Sequence, residues 1–98
     1  MSGRLTPEAA ADLREIFEWY SERDAALGLE FLAAFAEVAR RIDEFPEIAA
    51  EIETGIRRAP LRRFPYFVFY FREQAGPVVL GCFHAHRDPQ VWRVRGRG

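Results

Sequence analysis

Apolar side chains recur at three- and four-residue intervals through the first half of the chain, in two successive series. The first series is Leu5, Ala9, Leu13, Ile16, Phe17 and Tyr20, and the second is Leu27, Phe31, Phe35, Val38 and Ile42, with Phe45 as a further candidate at its end. This spacing is typical of helices with one apolar face. Thr6 is a suitable N-cap before Pro7, Asp24 can cap the second helix, and Pro46 marks its end. We therefore predict an antiparallel hairpin of two amphipathic helices, the first beginning at Pro7.

After Gly55 the chain is rich in aromatic, β-branched and turn-forming residues, a composition typical of strands joined by short turns. The predicted strands are 56–63, 66–72 and 78–84, with 73–77 as a hairpin connection, and we expect a short first strand at 3–5. The order β-α-α-β-β-β predicts an α+β fold in which the helical hairpin packs on one face of a small antiparallel sheet.

The strand at 66–71 is apolar on both of its faces. Its two alternating sets of side chains are Tyr66, Val68 and Tyr70, and Phe67, Phe69 and Phe71. Since the two helices cover only one face of the sheet, the second set needs another cover. Two covers are open at this point: a segment of a partner protein, and the C-terminal segment of the chain itself, which includes Trp92.

Length and composition predict one small globular domain that spans residues 1–98. The chain has 98 residues, of which 49% are hydrophobic, and a single cysteine, Cys82, which cannot form an internal disulfide. The longest uncharged run, 74–86, is interrupted by glycine and proline and is too short to span a membrane as a helix. We expect a cytoplasmic protein that contacts no membrane.

The formal net charge of −1 conceals an electrical division of the chain. Residues 1–53 contain five arginines and thirteen acidic residues, a balance of −8, whereas residues 54–98 contain nine arginines and two acidic residues, a balance of +7. All the basic residues are arginines, whose planar guanidinium groups suit carboxylate or phosphate partners. The basic half of the chain therefore predicts a negatively charged partner, either a protein or a nucleic acid.

The motifs that would indicate catalysis are weak. His84 and His86 have a two-residue spacing that Cys82 extends, but alternate residues of a strand are roughly 7 Å apart and do not readily converge on one ion. Neither serine lies in a nucleophile elbow, and the chain has no phosphate-binding glycine loop. We expect no metal site and no cofactor.

Three segments carry a resemblance to a known family. They are 5–16, 62–70 with its Phe-Pro-Tyr, and 84–92 with its His-x-x-Arg-Asp-Pro. Together they resemble the RelE/ParE superfamily of type II toxin-antitoxin toxins over almost the whole chain. The resemblance implies the same fold and a cognate antitoxin partner, ParD-like or related. It also implies one of two activities: RelE-like members are ribosome-dependent mRNA endoribonucleases, and ParE-like members are not enzymes but poison DNA gyrase.

Two positions favour the ParE-like activity. Phe67 stands where the ribonuclease members tend to carry an arginine, and Trp92 stands where they tend to carry a tyrosine whose hydroxyl can move a proton. The resemblance therefore implies a gyrase inhibitor that acts by binding. A RelE-like ribonuclease acting on the ribosome and mRNA is the alternative, and its candidate catalytic residues are Arg58, Arg62, His86 and Arg87. An inactive fold member that retains only antitoxin binding is a third hypothesis.

The predicted contact surface for target or antitoxin combines basic and aromatic side chains. Its members are Arg58, Arg62, Arg63, Phe67, Phe69, His84, Arg87 and Trp92. The resemblance places Phe67 on the open face of the sheet, so we expect the row of phenylalanines to face the partner. Acidic residues of an antitoxin would meet the arginines, and its apolar residues would meet the rings.

Overall fold

The computed structural model describes residues 4–88 and 90–97, without the side chains at 91, 92, 96 and 97. Its helices are α1 (Pro7–Arg23), α2 (Ala25–Glu44) and α3 (Gln90–Arg97), and its strands are β1 (Arg4–Leu5), β2 (Ala50–Glu53), β3 (Ile56–Pro60), β4 (Tyr66–Glu73) and β5 (Gly76–His84). The strands form one sheet in the order β1-β5-β4-β3-β2. The α+β fold with an N-terminal helical hairpin is thereby confirmed.

The caps of the helical hairpin are those that the sequence predicts. The hydroxyl of Thr6 accepts a hydrogen bond from the N–H of Ala9, and Pro7 opens α1. Asp24 separates the two helices, and its carboxylate accepts from the N–H of Ala26 at 2.9 Å. The helices therefore begin where local side chains satisfy their first backbone donors.

The main core lies between the hairpin and one face of the sheet. Its largest fully buried side chains are Tyr70, Phe31, Ile42, Val68 and Val79. The hydroxyl of Tyr70 reaches the end of α2 and donates to the carbonyl of Pro46 at 2.7 Å. A buried hydroxyl needs such a partner, so this bond also fixes the turn that follows α2.

A β-bulge in β5 decides which of its side chains face the helices. Phe69 pairs with Gly81 and Tyr70 pairs with Val79, so Leu80 is an extra residue in β5. After the bulge, Cys82 returns to the helix side with Val79, whereas Leu80 and Phe83 belong to a separate cluster on the opposite face.

Several sequence-based boundaries are corrected by the structure. The sheet has an additional strand, β2, and the C-terminal segment forms α3. The predicted strand 56–63 ends at Pro60, and Arg63, in the turn that follows, has a positive φ of 75° that a strand does not accommodate. β1 is confirmed near its predicted place but pairs parallel with β5, so the sheet is mixed rather than purely antiparallel. No helix among the described residues is long and apolar enough to cross a membrane.

Candidate partner-binding face

The face of the sheet opposite the helical hairpin carries a second apolar cluster. It consists of Ile56, Phe69, Leu80 and Phe83, with Ile52, Phe67 and Phe71 packed against it. Phe69 and Phe83 are each only 3% exposed. The expectation that the phenylalanine row is open is therefore wrong for Phe69, while Phe67 and Phe71 remain half-buried.

The helix α3 covers part of this face. Of the two covers that the sequence left open, the structure therefore contains the chain's own C-terminal segment. The guanidinium of Arg95 lies 4.7 Å from the centre of the Phe83 ring and donates to the carbonyl of Leu80 at 3.3 Å. A Cβ at Gly81 would lie 2.7 Å from Arg95 Nη1, so glycine is needed for this close approach. Trp92 belongs to α3, and its side chain lies outside the described residues.

Two ion pairs hold α3 to the rest of the fold. Arg95 donates to both carboxylate oxygens of Asp12, at 2.6 and 3.2 Å, and Asp12 Oδ2 also accepts from the N–H of Cys82 at 3.1 Å. Arg93 donates to Glu53 at 3.0 Å. The Asp12 contacts also occupy the edge of β5 beyond the short β1, where a strand would otherwise present unpaired backbone groups.

Beside α3 the phenylalanine rings of this face form a connected row with an arginine at each end. Arg58 Cζ lies 4.3 Å from the centre of the Phe67 ring, and Arg87 Cζ lies 5.9 Å from that of Phe83. Between them, ring centres are 6.5 Å apart for Phe67 and Phe69 and 5.4 Å apart for Phe69 and Phe83. We call Arg58, Phe67, Phe69, Phe83 and Arg87 the basic-aromatic strip. Each arginine lies within the distance at which a cation is attracted to a ring face.

Both strip arginines are exposed and form no ion pair with any described residue. Arg62 and Arg63 differ, because they pair with acids of α2: Arg62 lies 3.9 Å from Glu37, and Arg63 lies 3.0 Å from Glu30. The structure therefore divides the predicted basic cluster and leaves Arg58 and Arg87 on the strip.

A cavity adjoins the strip on the same face of the sheet. Its volume is about 730 Å³, and its lining includes the apolar side chains Ile56, Phe71, Leu80 and Val94, with Arg72 and Arg95 among its polar residues. Such a cavity can hold several apolar side chains of an extended or helical peptide.

His84 and His86 lie away from this cavity. The His84 ring meets Tyr66 edge-on, with centres 5.3 Å apart, and His84 Nδ1 accepts from the backbone N–H of His86 at 3.2 Å. His84 lines a groove of about 400 Å³ between α1 and the end of β5, and Arg87 lines its rim. His86 is exposed. The structure therefore places His84 at the margin of the strip rather than within it.

Metal and thiol chemistry find little support in this geometry. No group of three or more potential ligands that could hold a metal ion occurs in the part of the chain that the structure describes. Burial raises the pKa of the Cys82 thiol to about 12, with a smaller contribution from Asp12. A thiol with so high a pKa is protonated at neutral pH and is a poor nucleophile.

Comparison with known proteins identifies the family. The sequence profile described as "ParE toxin of type II toxin-antitoxin system, parDE" matches residues 4–89, which is most of the chain. This chain belongs to the ParE toxin family. A search of curated proteins gives no match. Among solved structures, the chain resembles a protein of the "Chromosomal ParDE TA system from P. aeruginosa", with a TM-score of 0.73 and 22% identity over 86% of this chain and 95% of that one. At this identity the match to the solved structure supports the fold alone.

In this ParE-family chain the ribonuclease candidates have different surroundings: Arg87 lies on the strip with Arg58, and His86 is exposed outside it. Arg58 lies on the strip, whereas Arg62 is paired with Glu37 of α2. Phe67 takes part in the strip, where a phenyl ring can neither bind phosphate nor move a proton. The sequence reasoning missed Phe83, although it lies in a predicted strand, because the bulge at Leu80 changes the alternation that would have placed it beside Phe69.

The charge division of the ParE-family chain is largely satisfied within the fold. The seven ion pairs found among the described residues each join a residue from 1–53 to one from 54–98. The acidic first half and the basic second half of the chain are therefore partly neutralised by each other. Of the arginines between residues 54 and 95, Arg58 and Arg87 are the ones without an acidic partner among the described residues.

Proposed function

We propose that this chain is a toxin that inhibits DNA gyrase by binding to it, and that a ParD-like antitoxin neutralises it by binding the basic-aromatic strip and the adjoining cavity. The observation that carries the proposal is that the side chains of Arg58 and Arg87 are exposed and unpaired with any described acidic residue. Both guanidinium groups are exposed, lie against ring faces and lack an acidic partner among the described residues, whereas the other arginines between residues 54 and 95 are in ion pairs.

The chemistry of the strip selects an antitoxin segment that is both acidic and apolar. Carboxylates would take charge-assisted hydrogen bonds from Arg58 and Arg87, which are stronger than bonds between neutral groups. Apolar side chains of the same segment would enter the 730 Å³ cavity over Ile56, Phe71 and Leu80. Family membership supports a partner of this kind, since ParE toxins belong to parDE systems.

The binding part of the proposal is tested with the cognate antitoxin, by measuring association rates at several salt concentrations and dissociation constants at one. The double variant Arg58→Ala with Arg87→Ala should weaken binding by about tenfold or more, because each lost charge-assisted bond is worth roughly 1 to 3 kcal/mol. The matched control, Arg62→Ala with Arg63→Ala, also removes two arginines, but these are paired within the fold. Equal losses in the two double variants, or an association rate independent of salt, would refute this assignment.

The target is tested by two assays on the same purified protein. We expect inhibition of DNA supercoiling by gyrase, with accumulation of cleaved DNA complexes, and no cleavage of mRNA on translating ribosomes. Cleavage of mRNA without any effect on gyrase would replace the proposal with the RelE-like activity. Failure in both assays, together with tight antitoxin binding, would instead identify an inactive fold member.

A further inference from the structure

The loop that follows α2 presents large apolar side chains to the surface. Phe45 is 59% exposed and Ile48 is 52% exposed, and they are separated by only two residues. Isolated exposed apolar residues are common, but two large ones that share one short loop make a local apolar patch. The segment 45–49 is here called the knob loop.

Two hydrogen bonds from side chains of the sheet hold the backbone of the knob loop in place. The hydroxyl of Tyr70 donates to the carbonyl of Pro46, and Arg57 Nη1 donates to the carbonyl of Ala49, each at 2.7 Å. Both donors belong to the central part of the sheet and are themselves buried or half-buried. The loop therefore presents its apolar side chains in a fixed arrangement, which lowers the entropic cost of binding through them.

An apolar groove lies directly beside the knob loop. It has a volume of about 220 Å³, and its lining residues are Val38, Arg41, Ile42, Ile48, Ala49, Ala59 and Pro60. A cavity of roughly 150 Å³ already accommodates benzene, so a phenyl ring from another molecule fits this groove. The same small surface thus contains a projecting ring and a recess that can receive one.

Two charged groups near the groove lack partners. Arg41 and Glu44 are exposed, and neither forms an ion pair with another described residue. If two copies of α2 cross antiparallel about an axis near residues 42 and 43, Glu44 of one copy faces Arg41 of the other. The same axis places Phe45 of one copy opposite residue 40 of the other, one residue from Arg41 at the groove, because each helical residue advances 1.5 Å. One axis therefore satisfies both the shape and the charges.

We propose that two copies of this chain associate through this surface. Phe45 of each copy enters the groove of the other, and Arg41 of each pairs with Glu44 of the other. Self-complementarity of one patch is what a two-fold symmetric contact requires. The patch is smaller than the roughly 800 Å² per partner of a standard stable interface, so the association is weak and depends on concentration. This inference is independent of the antitoxin and of gyrase.

The first test is sedimentation velocity of the full chain, alone, from about 1 µM to about 1 mM, a range that brackets weak association. We expect the sedimentation coefficient to rise with concentration for the unaltered chain and to stay constant for Phe45→Asp and for Ile48→Asp. The matched control is Leu29→Asp, since Leu29 is 63% exposed on the same helix but does not line the groove. Circular dichroism verifies that each variant is folded.

The second test exchanges the charges. Arg41→Glu and Glu44→Arg should each weaken self-association at least fivefold, and the variant carrying both should restore it, because the pair is rebuilt with its signs reversed. A chain that is monomeric up to about 1 mM, an equal effect of Leu29→Asp, or a double variant without rescue would overturn the proposal. A monomeric chain whose Phe45→Asp variant loses antitoxin binding would assign the patch to that partner instead, and this too overturns it.

Discussion

Asp12 connects three parts of the fold, and its replacement by alanine is the most informative single perturbation. Its carboxylate accepts two bonds from Arg95 of α3 and one from the backbone N–H of Cys82 in β5. The carboxylate and the guanidinium are both partly buried, so solvent screens the pair less than it screens a surface pair. Asp12→Ala removes all three bonds and leaves the N–H of Cys82 without its acceptor.

The expected loss can be estimated from these bonds. A hydrogen bond to a charged group contributes roughly 1.5 to 3 kcal/mol, and a buried donor left unsatisfied costs about 1 to 3 kcal/mol. After a discount for the partial exposure of the pair, Asp12→Ala should lower the free energy of unfolding by about 2 to 4 kcal/mol. Arg95→Ala should cost less, about 1 to 2 kcal/mol, because Asp12 then keeps its bond to the N–H of Cys82.

The assay is urea denaturation followed by circular dichroism, arranged as a double-mutant cycle of Asp12→Ala and Arg95→Ala. We expect a coupling energy of about 1 to 2 kcal/mol. Glu73→Ala is the control, since it breaks the exposed Arg4 pair and should change stability by less than about 0.5 kcal/mol. A coupling near zero, or equal losses for Asp12→Ala and Glu73→Ala, would refute the reasoning.

Two further predictions concern buried groups in the sheet. The pKa of the Cys82 thiol is raised from 9.0 to about 12, so the unfolded chain loses the thiol proton at a lower pH than the folded chain does. The free energy of unfolding is therefore unaffected by this thiol below about pH 9 and falls between about pH 9 and 12, at up to about 1.4 kcal/mol per pH unit. Cys82→Ala should therefore show a shallower alkaline loss of stability in urea titrations, and an unchanged slope would contradict this. Tyr70→Phe leaves the Pro46 carbonyl without its donor and should cost about 1 kcal/mol; hydrogen exchange should then accelerate at 45–49, and unchanged exchange there would show that the bond does not hold the loop.

The helical hairpin was predictable because its signals are local. Thr6, Pro7 and Asp24 act on backbone groups within three residues of themselves, so the sequence alone identifies the helix starts. The same holds for the turn between β4 and β5, where Gly76 adopts a positive φ of 129°.

Features that depend on distant contacts were harder to predict. The bulge at Leu80 arises from the pairing of β5 with β4, and local alternation contains no sign of it. The role of the arginines also depends on distance along the chain: Arg62 and Arg63 lie next to aromatic residues in sequence, yet they pair with Glu37 and Glu30 of α2. Sequence proximity therefore suggested one basic cluster where the fold contains two.

The pairing of the first strand with the last one has a consequence for synthesis. Arg4 of β1 is in register with Val78 of β5, and Asp12 meets Arg95, which follows it by 83 residues. While residues 1–53 leave the ribosome, the arginines that pair with six of their thirteen acidic residues have not yet been synthesised. Contacts of such long separation slow folding, because the entropy of closing the intervening loop must be lost before they form. The anchored sheet can therefore form only after the chain has been synthesised past Arg95, and a chain whose translation stops within residues 1–53 is an acidic helical segment that lacks the basic-aromatic strip.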